Sequence, residues 1–223
     1  MPQYVNTMKQ IAALVKKDIL LETRQQYTFY GVLLYVASTV FVVYLSTGQP
    51  EEKTWNALFW IVQLFASVNA VAKSFLHDGK GRMLYYYTIS GAVNYIIAKI
   101  IFNSLLMLVM SLLTLLIFML LLGNPLLHFS EFLLISFLGG IGLGLIFTFL
   151  AAIAAKAQQQ SALMAIMGFP IVVPQLLLLG KISSTAFSDA LQSGWWQMVL
   201  LLVGLDILII LLSVILFPFL WKD

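Results

Sequence analysis

The chain of 223 residues has no cysteine, only two histidines, and just 9% charged residues, against about 25% in an ordinary soluble domain. Without cysteine there is no disulfide framework, no thiolate metal site and no Fe–S ligation. With so few charges and 61% hydrophobic residues, a water-soluble globule is excluded. Missing too are the motifs that carry hydrolytic chemistry: no GxxxxGK phosphate loop, no HExxH and no GxSxG. The chain is therefore not expected to be an enzyme or to hydrolyse ATP by itself.

What the sequence does have is long, unbroken apolar runs such as Leu105 to Leu122. In hydrocarbon every backbone N–H and C=O needs an internal partner, which leaves helices or closed barrels. Runs without apolar/polar alternation are not barrel strands, so the expected class is all-α and membrane-embedded, with the lipid bilayer as its solvent. At about 20 residues per crossing, six spans are predicted at 28–46, 55–76, 95–122, 130–154, 160–180 and 196–221. The first lies behind a polar lead with no A-x-A site after it, so it is expected to be retained rather than cleaved.

An even number of spans puts both termini on one side, and the basic residues say which. Lys9, Lys16, Lys17, Arg24, Lys80, Arg82, Lys156 and Lys222 fall on one face; Lys53 and Lys181 fall on the other, with Lys73 and Lys99 near the boundary of the first. Eight against two is a positive-inside bias, which predicts cytoplasmic termini. The net charge of +3 is read as topology and not as nucleic-acid binding. His77 and His128 then face opposite sides and cannot share one metal or haem within a subunit. No metal site and no directly bound cofactor is expected.

In the lead, 1–27, Val5, Met8, Ile11, Ala12, Val15 and Ile19 recur at helical spacing while Lys9, Lys16, Lys17 and Glu22 take other faces. This suits either a helix lying in the membrane interface or one packed on a partner. The connection at about 77–94 mixes charge, glycine and tyrosine: Asp78, Gly81, Arg82, Met83, Leu84 and Tyr86 sit in it. It reads either as a short amphipathic helix that a soluble motor could grip or as an interfacial tyrosine belt. Gly140 and Gly144 form GxxxG in the fourth span, beside Gly139 and Gly142, and favour close helix packing over a substrate passage. Phe169, Pro170 and Pro174 mark the fifth span, where prolines four apart bend or break a helix; both a moving gate and a static kink fit. Asp206, deep in the sixth span, reads either as a functional intramembrane acid or as a structural carboxyl satisfied within the bundle, and in both cases is expected to face protein, protonated or hydrogen-bonded, because a lipid-facing carboxylate costs about 2.5–3.5 kcal/mol. Gln63, Ser67 and Ser74 suggest interhelical hydrogen bonds in the second span.

Four stretches resemble the haem exporter protein B family, the CcmB-type permease of cytochrome c maturation. They are Lys17-Asp-Ile-Leu-Leu-Glu-Thr-Arg24, Lys73-Ser-Phe-Leu-His-Asp78 with Gly81, Ala98-Lys99, and Phe169-Pro-Ile-Val-Val-Pro174-Gln-Leu-Leu-Leu; six-span order and length agree throughout. Two departures stand out. A G-T-L-E-like run of the family is Gly81-Arg-Met-Leu84 here, and a Ser-Pro is Ser90-Gly91. The resemblance implies an ABC-2 type permease fold over 28–223 in the bacterial inner membrane, with the 77–94 segment as coupling element. It implies ATP bound by a separate ATPase subunit, a haem-handling membrane C subunit and a small D subunit as partners, and a second permease copy as a further candidate. Haem, or release of a haem-loaded chaperone, would be the cargo step; the alternative is an ABC-2 permease for a lipid, drug or polysaccharide.

The charge count yields a direct expectation: reporter tags fused to either end should be reached only from the cytoplasm. A C-terminal tag exposed on the outer side would require an odd number of spans.

Overall fold

A computed structural model describes residues 2–25, 27–76, 85–86, 89–157, 160–189 and 194–220. Within them the chain forms α1 (Pro2–Gln25), α2 (Tyr27–Thr47), α3 (Glu52–Leu76), α4 (Ala92–Leu122), α5 (Phe129–Ala157), α6 (Gln160–Ser184), a 3-10 turn (Thr185–Phe187) and α7 (Trp195–Leu220). The six helices α2 to α7 are each long and apolar enough to cross a membrane. The protein is an all-α, multi-pass membrane protein.

Local chemistry fixes several of the ends. Gly91 and Gly123 bracket α4 with φ of 80° and 81°, a left-handed backbone that costs a side chain but not glycine. Glu22 accepts from the backbone N–H of Phe29 at 2.8 Å, supplying one of the partners that the first turn of α2 lacks. At its far end α6 runs past Gly180, where the predicted span stops, because hydroxyls cap its last carbonyls. Ser183 donates to the Leu179 carbonyl at 2.7 Å, Ser184 to Lys181 at 2.8 Å and Thr185 to Ile182 at 2.7 Å.

The crossings alternate, so their connections gather in two groups. At one end the Trp55 indole donates to the Gly123 carbonyl at 3.3 Å, and the backbone N–H of His128 donates to the Ala186 carbonyl at 3.0 Å. At the other, Asn94 donates to Gln10 at 2.9 Å and Tyr95 of α4 stacks on Phe217 near the end of α7. The first helix and the last turns of α7 therefore share one end, as an even number of crossings requires.

The first helix is amphipathic, but its buried stripe differs from the one expected. Leu14 and Asp18 point inward, with Ile11 and Val15 half-buried, while Met8 and Ile19 face outward. An ion pair of Asp18, described below, sets this rotation.

The centre of the bundle is α5, which packs against α3, α4, α6 and α7. One core cluster contains a knot of aromatic rings at the Trp55 end. Trp55 stacks on Phe59 at 5.8 Å and meets Phe118 at 5.2 Å and Phe132 at 5.4 Å edge to face, tying α3, α4 and α5 together. Phe132→Ala should cost about 3–5 kcal/mol, as other buried phenylalanines do, seen as a lower unfolding temperature in detergent. Leu120→Ala, on an 82% exposed side chain, should leave it unchanged.

Candidate functional site

Two groups of polar side chains stand out from the apolar bundle. The first lies at the α1 end, where a buried lysine and a buried aspartate meet. Lys99, in the second turn of α4, is 2% exposed and places its Nζ 3.1 Å from Asp18 Oδ2, itself 5% exposed. The same ammonium donates to the Ser74 carbonyl at 3.0 Å, in the last turn of α3, where helical carbonyls lack partners and a cation is favoured. The second carboxylate oxygen of Asp18 takes Lys17 Nζ at 3.0 Å. Lys17 also sits 4.1 Å above the ring of Tyr86, within cation–π range, and Lys99 lies 5.8 Å from the ring of Tyr95. Through Tyr95 and its Phe217 stack, four helices and the segment around Tyr86 converge on one ion pair.

Beside this junction lies an open hollow of about 300 Å³ between α1 and Tyr85, Tyr86, Ile89 and Ser90, lined on the α1 side by Gln10, Leu14 and Lys17 among others. Of the coupling-segment residues picked from sequence, Tyr86 is half-buried here, and Ser90 Oγ donates to its carbonyl at 2.6 Å. Asp78, Gly81, Arg82, Met83 and Leu84 lie outside the described residues, as does His77. Gly91, standing where the resembled family has proline, holds φ 80°. A proline, locked near −65°, cannot follow Ser90 in this conformation.

The second group lines α5. A Cβ on Gly139 would lie 2.5 Å from the Trp60 ring, one on Gly140 would collide with the Ser111 hydroxyl, and one on Gly144 would lie 2.8 Å from Met107 Cγ. Gly142 faces the side, where a Cβ would strike the Gln175 amide and lie 2.5 Å from Asp206 Oδ1. In the space the glycines leave, polar side chains pair across helices. Gln63 of α3 donates to Ser111 of α4, and Asn103 of α4 to Thr148 of α5 at 2.9 Å. Gln175 of α6, 1% exposed, donates to Asp206 of α7, 7% exposed, at 3.3 Å. Asp206 thus faces protein, between α5, α6 and α7. Of the other polar residues expected in α3, Ser67 turns back on its own helix, donating to the Gln63 carbonyl. Ser74 contributes through its carbonyl rather than its hydroxyl.

The proline segment departs from one expectation. α6 is continuous through Pro170 and Pro174, so the helix is not interrupted there. Both prolines, with Phe169 at 72% and Leu177 at 70% exposure, lie on the outward face, while the neighbouring Val172, Gln175 and Leu179 turn inward. The missing N–H groups therefore sit on the side away from the bundle, where the loss least disturbs packing. The side chains of Phe169, Pro170 and Pro174 point away from this chain's own core.

Sequence reasoning gave Asp18 no role and read Lys99 as a boundary charge. The available signal was Asp18 itself, one turn from Leu14 on a stripe that also holds Ile11, an acid where a membrane-facing or buried helix wants apolar side chains. Stranding a buried charge costs about 3–5 kcal/mol; removing Lys99 leaves Asp18 with Lys17 as its remaining cation, so the loss should fall below that range. Lys99→Met should therefore loosen α1, seen as earlier proteolysis of the lead and a lower melting temperature. Adding Asp18→Leu should restore most of the loss; a double variant as unstable as the single would show that other contacts hold α1.

No curated protein and no solved structure matches the chain. The family described as CcmB protein matches residues 9–220, a stretch that includes both members of the Asp18–Lys99 pair, the glycine face of α5, the paired prolines and Asp206. The chain belongs to the CcmB protein family, the permease component of haem-exporting ABC transporters in cytochrome c maturation.

Proposed function

We propose that this chain is the subunit through which a separate ATPase drives haem delivery for cytochrome c maturation across the bacterial inner membrane, with α1 and both chain ends in the cytoplasm. The observation that carries the coupling is the Asp18–Lys99 junction. A soluble subunit seated on α1 and the 77–94 segment would press on helices already bound, through Lys99, to the start of α4 and the end of α3. Buried and in contact on several sides, the pair transmits displacement rather than absorbing it, since close-packed interiors carry strain.

The sidedness rests on the eight-to-two distribution of basic residues. The cargo step is haem movement or release of a haem-loaded chaperone, with the haem-handling C subunit and the small D subunit as partners in the membrane. Haem is cargo in this reading, and ATP is bound by the partner. The departures at Gly81-Arg-Met-Leu84 and Ser90-Gly91 give this chain its own contact surface for the ATPase.

Arg82→Glu combined with Tyr86→Ala should lower co-purification of the ATPase while membrane insertion stays normal. Unchanged association would shift the contact to the exposed Lys9 and Lys16 face of α1. Recovery of an ATPase without any haem-handling subunit would favour an ABC-2 permease for another substrate.

A further inference from the structure

At the end of the bundle away from α1, the outward faces of α3 and α6 do not close on each other. Two adjoining hollows, of about 540 Å³ and 460 Å³, share Ala57 and Gly180 and so form one groove. Its mouth carries Glu52, Lys53, Ser184 and Ser188; its depth is Trp60, Ile61, Val173, Leu176 and Leu177. From Ser184 to Val173 the α6 wall is about 16 Å long at 1.5 Å per residue, close to half of the ~30 Å hydrocarbon core. The floor is rigid. Asn56 donates to the Gly180 carbonyl at 3.1 Å, and Ser183 receives the Trp60 indole N–H at 2.8 Å.

We propose that this groove holds one acyl chain of a zwitterionic phospholipid of the phosphatidylethanolamine type. Adjacent charges of opposite sign at the mouth match that headgroup, Lys53 to the phosphate and Glu52 to the amine, while the apolar walls run one leaflet deep. A soluble metabolite would not use that depth. The lipid completes the packing of α3 against α6 and places an annular molecule next to Pro174 and Leu177, on the outward face of the proline segment.

Gly180 makes the idea testable, because a Cβ there would meet nothing within 4 Å. Gly180→Leu therefore starts its side chain in open space, where the two hollows join, and it removes a glycine from a helix interior. The full chain, with its partner subunits, is reconstituted into phosphatidylethanolamine and phosphatidylglycerol vesicles containing a phosphatidylethanolamine photoactivatable in its acyl chain. Label should appear on the α3 and α6 peptides, and Gly180→Leu should reduce it roughly tenfold, the effect of excluding about two buried methylenes. Glu52→Lys should shift labelling towards a photoactivatable phosphatidylglycerol. Equal labelling of wild type and Gly180→Leu would overturn the proposal. So would efficient disulfide pairing of Gly180→Cys between two copies, which the absence of native cysteine makes unambiguous and which would make a second chain the occupant.

Discussion

An unpaired polar group in hydrocarbon costs several kcal/mol, yet five of the six crossing helices bury polar side chains at their contacts. They can do so because α5 presents backbone where a helix ordinarily presents side chains. Gly140 and Gly144 admit α4, Gly139 admits the Trp60 ring of α3, and Gly142 admits Gln175 and Asp206 together. The gaps at Gly140 and Gly142 bring Gln63 to Ser111 and Gln175 to Asp206, and beside Gly144 Asn103 of α4 reaches Thr148 of α5. Membrane hydrogen bonds average only about 0.6 kcal/mol each, so their importance is less in summed energy than in register. Sliding a helix by one turn would leave Gln63, Asn103, Gln175 and Asp206 facing apolar surface.

The Asp18–Lys99 pair applies the same logic at the edge of the bundle. Buried charge pairs contribute little net stability over an apolar replacement, but their geometry is demanding. This one needs α1 rotated so that Asp18 faces in, α4 entered at Gly91 with positive φ, and α3 ended so that the Ser74 carbonyl is available. Three separate elements are held to one arrangement, and the surface helix becomes part of the bundle's mechanics. Under the proposed function, this is the point at which a soluble subunit seated on α1 would act on the bundle.

On the opposite end and the outer side, the chain is less self-contained. The paired prolines show their faces outward, and the α3–α6 groove opens there too. A segment that removes backbone donors without breaking the helix leaves α6 softer along its outward side than along its packed side. What occupies that side, whether lipid or another subunit, therefore has direct influence on how α6 bends.

Much was legible from residues alone because hydrophobic length acts locally. Six spans, their order, the amphipathic lead, the packing glycines and the inward placement of Asp206 all follow from the cost of exposing polar groups to lipid, which each segment meets by itself. The family, too, was visible in short motifs. Pairings were not legible. Nothing in the sequence says that Lys99 reaches back 81 positions to Asp18, that Gln175 is the partner of Asp206, or that the prolines face away from the core. Those outcomes depend on helix rotation, and a 3.6-residue period fixes an apolar stripe only to within a residue or so. The sequence by itself determined what had to be buried. Only the tertiary structure, by setting the rotation of each helix about its axis, decided what each buried group would meet.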